Sequence, residues 1–165
     1  GRRCDPRTGA GQTAVTDLAP FVIVQDSREQ TPYSFPGYAT VIKGLPSGDY
    51  SVEGYESEVA IERKEIGDAY GSIGHGHERF EKELIRLAAM KYAAIVIESS
   101  LTNFLIAPEY SALNPKAAIG SLLAWSTKYR LPIFFAGDRA HGQAVTLKLL
   151  EKWYKYKISG ELFRP

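Results

Sequence analysis

Three short runs of mostly apolar residues, at 21–24, 93–98 and 131–136, constrain this chain more than any other feature. Each has the length of a strand. None alternates polar with apolar residues, so each reads as a strand buried on both faces. The intervening segments carry helical period instead. Phe80, Leu84, Leu87 and Ala88 recur at helical spacing within 78–90, with charges opposite. Residues 115–129 carry Ile119, Leu122, Leu123 and Trp125 on one side, and Pro115 suits a first helical turn. A last helix is expected from 138 to about 157. Buried strands alternating with helices need a sheet covered on both faces, which makes this an α/β domain.

The first half of the chain is richer in strands. Residues 39–43 read as a strand stopped by Gly44, and 45–48 as a turn. Residues 50–53 and 59–63 read as a hairpin across Gly54-Tyr55-Glu56-Ser57. The prolines and glycine of 31–37 mark a loop. A short helix is expected over 65–73, then a loop through Gly74-His75-Gly76-His77, while 103–109 carries no clear signal. Strands first, then helix and strand in alternation, imply a mixed central sheet flanked by helices. A chain of 165 residues holds one such domain. Residues 1–19 read as a leader, 20–158 as the domain and 159–165 as a tail.

Several classes are disfavoured. No apolar run approaches the roughly 20 residues of a membrane span, and no apolar signal segment opens the chain. The only cysteine, Cys4, cannot form an internal disulfide or a cysteine-built zinc site. A reducing intracellular setting is therefore expected: cytoplasm or nucleoid in a prokaryote or phage-infected cell, nucleus in a eukaryote. The only methionine is Met90, so the chain is expected to start downstream of a natural initiator. The net charge of +1 does not mark a strongly basic nucleic-acid binder. Its distribution is less even. Residues 53–68 hold six carboxylates against two bases, and 148–157 hold four lysines against one glutamate. Such separation suits a metal site with a polyanionic substrate, and also ordinary surface charge.

The chemically suggestive residues are Gly48-Asp49, entering one hairpin strand, and Ile61-Glu62-Arg63-Lys64 on the next. Glu62 and Lys64 are two apart on a strand, so they share a face. Asp49 comes within reach of Glu62 across the hairpin. Neighbouring carboxylates repel unless a cation lies between them, and hard oxygens suit Mg²⁺ or Mn²⁺. A metal there would activate water against a phosphodiester. The Lys64 ammonium would hold that water or stabilise the pentavalent transition state. Solvated hairpin faces alternate acids and bases in the same way. The apolar Ile61 beside the pair, and further carboxylates at Asp26 and Asp68, favour a site.

Asp26-Ser27-Arg28-Glu29, then Leu45-Pro46-Ser47-Gly48-Asp49-Tyr50, then Glu62-Arg63-Lys64 with Asp68, together resemble the ERCC4-type nuclease domain. This is the XPF/Mus81 family of structure-specific DNA endonucleases, whose signature reads G-D…E-R-K-x-x-x-D. The resemblance runs over about 21–157 and takes in Ala118-Ile119-Gly120-Ser121-Leu122-Leu123. It implies a restriction-endonuclease-like core and a metal-dependent endonuclease that hydrolyses phosphodiesters in branched or flapped duplex DNA. It assigns Asp49 and Glu62 as ligands of Mg²⁺ or Mn²⁺, joined by the main-chain carbonyl of Arg63. Lys64 becomes the catalytic lysine. Asp26 and Asp68 become further acidic members, and Arg28 and Glu29 supporting residues. The resemblance also implies a homodimer or heterodimer formed through residues about 115–157.

One departure is visible. Relatives carry an arginine where this chain has His77, and a glutamine four residues on, where it has Glu81. A histidine cannot make the bidentate phosphate contact of an arginine. Arg79 is a candidate substitute, and His77, Arg79 and Lys43 are the candidate DNA contacts. His75 and His77 lack a cysteine or third histidine to complete a zinc site. Trp125, Tyr129, Phe134 and Phe135 are expected mainly in the core. The alternatives carried forward are a non-catalytic DNA-binding or dimerisation partner of such a nuclease, and a nuclease of the same core acting on plain duplex or RNA.

Overall fold

The computed structural model describes residues 19–162. In chain order the elements are β1 (Ile23–Asp26), β2 (Thr40–Lys43), β3 (Tyr50–Val52), β4 (Val59–Lys64), α1 (Ile66–Ile73), α2 (His77–Ala88), β5 (Tyr92–Ile97), α3 (Leu101–Phe104), α4 (Pro115–Tyr129), β6 (Ile133–Phe135) and α5 (Arg139–Ser159). The six strands form one sheet in the order β2-β1-β3-β4-β5-β6. The β1–β3 and β3–β4 pairs are antiparallel and the other three parallel, so the sheet is mixed.

The period-2 alternation of β4 and β5 divides the interior into two cores. Ala60 of β4 with Ala93, Ile95 and Ile97 of β5 face α1, α2 and α4, where Tyr70, Leu84, Leu87 and Leu122 cover them. Val59, Ile61, Ala94 and Val96 face the other way, against Leu150 and Trp153 of α5. The helix ends match local chemistry. Asn114 accepts hydrogen bonds from the Lys116 and Ala117 N–H groups at the start of α4. Asp138 caps α5 through the His141 N–H, and Gly160 closes it with φ at 72°.

Several expectations need correction. The helix expected from 78 begins at His77, so that residue leaves the loop. A short α3, capped by Ser100, lies just before and into 103–109, where the sequence carried no clear signal. Leu123 is 57% exposed and Phe134 is 37% exposed. Leu123 follows Leu122 by one residue, which turns it off the buried helix face. Phe134 lies on β6, an edge strand only partly covered. Ala88, at the end of α2, is exposed as well. Trp125, Tyr129 and Phe135 pack against the first core while only partly buried. No helix among the described residues is long and apolar enough to cross a membrane. The leader reading at 1–19 lies outside the described residues except for Ala19.

Candidate active site

The pairing of β3 with β4 sets Tyr50 opposite Ile61. One step along the antiparallel register, Asp49 stands opposite Glu62, and opposed residues point to the same face. The Asp49 main chain is fixed on both sides. Its N–H donates to the Ile61 carbonyl at 2.9 Å, and its carbonyl accepts from the Asp26 N–H at 2.8 Å. Gly48 provides the turn with φ at 76°. A Cβ there would stand 2.8 Å from the Ala60 Cβ, so both backbone and space demand glycine. The Gly48 N–H donates to Glu83 Oε1 at 3.0 Å, which ties the turn to α2.

Asp49 Oδ2 accepts the Arg63 N–H at 2.8 Å. A strand residue sends its N–H and C=O to the same side, so the Arg63 carbonyl also faces the β3 side, beyond the last β3–β4 pair. Glu62 is buried and pairs with the Lys64 ammonium at 2.9 Å. Burial, and then the charge of Glu62, push the Asp49 carboxyl well above its ordinary range, against the pull of the Arg63 N–H. Burial likewise raises Glu62, outweighing Lys64. Burial alone would lower Lys64, but Glu62, Asp49 and Asp68 raise it, so the ammonium stays charged. Lys64 also lies 5.1 Å from the centre of the Phe80 ring.

These groups open into a cleft of about 580 Å³ between the sheet end and helices α1 and α2. Of the residues singled out in the sequence, Asp26, Arg28, Glu29, Asp49, Glu62, Arg63, Lys64, Asp68 and Arg79 all line it. Asp26 is buried, and its oxygens accept from Arg28 Nε at 2.8 Å and from the Leu45 N–H at 2.9 Å. Burial raises its pKa, but Arg28 and the Leu45 N–H together bring it below the ordinary value. Asp26 thus braces the turn before Asp49. Asp68 lies exposed in the first turn of α1.

Two candidates do not join the cleft. The Lys43 ammonium pairs with Glu56 at 2.5 Å. His77 is exposed, with Nδ1 3.2 Å from the Gly74 carbonyl. Glu81 turns to α4, where the Tyr129 hydroxyl donates to it at 2.6 Å. From α2, Arg79, Phe80, Glu83 and Arg86 line the cleft, and Arg79 and Glu83 stand four apart like the arginine and glutamine that relatives carry at the positions of His77 and Glu81. Glu83 and Arg86 were missed by sequence reasoning. Their signal was helical spacing: Gly76, Arg79, Glu83 and Arg86 form one stripe along α2. Gly67, Gly71 and Gly76 also line the cleft, and a Cβ at Gly71 would meet nothing within 4 Å.

The donor set fits a small divalent cation. The half-buried Asp49 and the buried Glu62 carboxylates repel each other beside the Arg63 carbonyl, all of them hard oxygens. Among the described residues no three His, Cys, Asp or Glu side chains gather as a complete cage. The remaining positions would fall to water, as Mg²⁺ prefers.

A family model described as the ERCC4 domain matches residues 25–149. The chain belongs to the ERCC4 domain family. Two solved structures of XPF from Aeropyrum pernix are similar to this ERCC4 domain. One, a complex with DNA, gives a TM-score of 0.65 at 22% identity, covering 82% of this chain and 66% of that one. The other gives 0.63 at 21% identity, covering 79% and 60%. The chain thus spans less than two thirds of the length of these neighbours. The likeness shows a shared fold, the restriction-endonuclease-like core with its six-stranded mixed sheet. No curated protein matches the sequence.

Proposed function

We propose that this ERCC4 domain is a metal-dependent endonuclease that hydrolyses phosphodiesters in branched or flapped duplex DNA. The observation that carries the reading is the opposition of Asp49 and Glu62 in a cleft that also holds the Lys64 ammonium. Asp49, Glu62 and the Arg63 carbonyl would hold Mg²⁺ or Mn²⁺. Such a cation, when bound, supplies Lewis acidity and lowers the pKa of its water. The Arg63 N–H orients Asp49. Lys64 keeps its proton, so it acts as a fixed positive charge beside the attacked phosphate rather than as a base. Arg28, Arg79 and Arg86 supply guanidinium groups for the DNA backbone. Dimerisation through residues 115–157 belongs to the same proposal, with the exposed Leu123 and Phe134 as apolar contacts.

Labelled flap, fork and linear duplex substrates test this directly, with Mg²⁺, Mn²⁺ or EDTA. Wild type should cut the flap or fork in either metal and not in EDTA, and Asp49→Ala should cut nothing. Equal cutting by Asp49→Ala would sink the assignment. No cutting by wild type on any substrate would favour a non-catalytic partner, and preference for linear duplex would favour a less selective nuclease.

A further inference from the structure

Arg63 stands between two residues of the proposed site, yet its side chain lies on the other face of the sheet, and the chemistry above uses only its main chain. On that face β4 reads Val59, Ile61, Arg63, so a guanidinium continues an apolar row. The Arg63 side chain is only 8% exposed. Nε donates to Glu98 Oε1 at 2.5 Å, and Nη1 donates to Glu29 Oε2 at 3.0 Å and to the Thr31 carbonyl at 2.7 Å. The cation lies 4.6 Å from the centre of the Tyr33 ring, and the Tyr33 hydroxyl donates to the same Glu98 oxygen at 2.5 Å. The Tyr50 hydroxyl donates to Glu29 at 3.1 Å and accepts the Tyr33 N–H at 2.7 Å.

Taking one cation and two carboxylates out of water costs several kcal/mol per ion, and apolar residues of similar volume often serve stability as well or better. The gain from such a network lies in fixed geometry. The one here joins the end of β4, the residue after β5, the segment after β1, and Tyr50, the immediate neighbour of Asp49. We infer that the Arg63 side chain, held by Glu98, Tyr33 and Glu29, is a positioning device that fixes the Arg63 peptide. Its N–H is thereby aimed at Asp49 and its carbonyl at the cleft. The functional value of this aim rests on the nuclease reading above, while the fixing of the peptide can be measured without it.

The test uses the whole chain and compares wild type, Tyr33→Phe and Arg63→Lys, with Glu98→Gln as a further member if it folds. Tyr33→Phe keeps the ring and removes the hydroxyl. Arg63→Lys keeps the charge and loses the planar fork. Amide hydrogen exchange is followed by NMR at Arg63, with Val24 and Val96 as references in the same sheet. Exchange at Arg63 should accelerate about tenfold or more in both variants while the references hold, as for a local opening. Cleavage of a flap substrate should fall about 10- to 100-fold in kcat, as for groups that orient metal ligands. KM for the DNA should stay within about twofold, because the residue acts through another and not on the substrate.

Unchanged exchange at Arg63 would overturn the proposal, whatever happens to cleavage. Equal acceleration across the sheet would overturn it too, since the network would then only hold the fold. Full activity in Arg63→Lys would also count against it, because charge alone would suffice. A wild type that cuts nothing would refute the nuclease reading and leave the exchange data to decide the positioning claim.

Discussion

The two faces of the sheet at the end of β4 receive charge in opposite states. On the α5 face, Arg63 meets Glu98 and Glu29 with Tyr33 stacked beneath the cation. Burial alone would raise Glu98, but hydrogen bonds from Arg63 and Tyr33 bring it below its ordinary value. On the α1–α2 face, Asp49 and Glu62 oppose each other, Lys64 pairs with Glu62, and both carboxyls are pushed up. Three consecutive residues, Glu62-Arg63-Lys64, thus feed a cluster whose carboxylate is held below its ordinary value on one side and one whose carboxyls are pushed above it on the other. A multiply bonded buried cation builds a frame, and crowded carboxyls are the chemistry that suits a further cation.

The comparison is broken most severely at Asp49. Asp49→Ala should abolish cleavage in a flap assay while leaving the circular dichroism of the fold unchanged. The mirror experiment removes a frame carboxylate. Glu98→Ala leaves the buried Arg63 guanidinium short of a partner and should lower unfolding free energy by about 3 kcal/mol in urea titrations. Saturating Mg²⁺ or Mn²⁺ should do the reverse at the open face. At about 100 times the dissociation constant it should add about 2.7 kcal/mol, and Asp49→Asn should erase that gain in thermal melts.

The pH dependence sharpens the contrast, because the two clusters slope in opposite directions. Asp49 and Glu62 titrate above their unfolded values, so their contribution is fully present below those values and fades as pH rises through the folded ones. Glu98 titrates below its unfolded value, so its contribution is present above that value and fades as pH falls through the folded one. Asp49→Asn should therefore flatten the decline of metal-free stability on the neutral side. Glu98→Gln should flatten the decline on the acid side. Urea midpoints from pH 3 to 8 check both. The smallest effect belongs to Lys43, whose ammonium pairs with Glu56 away from the cleft. Lys43→Ala should leave flap cleavage at the wild-type rate.

Much of this was legible because period carries most of the information. The runs at 21–24 and 93–98 show as unbroken apolar stretches, the α2 and α4 helices follow from spacing three to four, and the hairpin that opposes Asp49 to Glu62 follows from spacing two. The signature from Asp26 to Asp68 named residues that line one cleft. What was not legible depended on long-range packing. Nothing in the sequence assigns Glu98 to Arg63, 35 positions away. Nothing in the local pattern says that Phe134 lies on an edge strand. The cleft-lining pair on α2 was legible in part. The family motif puts His77 and Glu81 at its arginine and glutamine positions with Arg79 as the candidate substitute, and the helical stripe that continues from Gly76 presents Arg79, together with Glu83, to the cleft.

Gly142 has a part in the order of assembly. It lies in the first turn of α5, where a Cβ would stand 2.6 Å from the Tyr33 hydroxyl, and its neighbour Arg139 donates to the Thr31 and Pro32 carbonyls. The enclosure around Arg63 is therefore completed by residues more than 70 positions downstream of it. During synthesis from the N-terminus, Asp49, Glu62 and Lys64 emerge long before the helix that closes the back of their strand. The nascent chain thus carries Asp49 and Glu62 on a hairpin whose back is still open, and the cover arrives with α5.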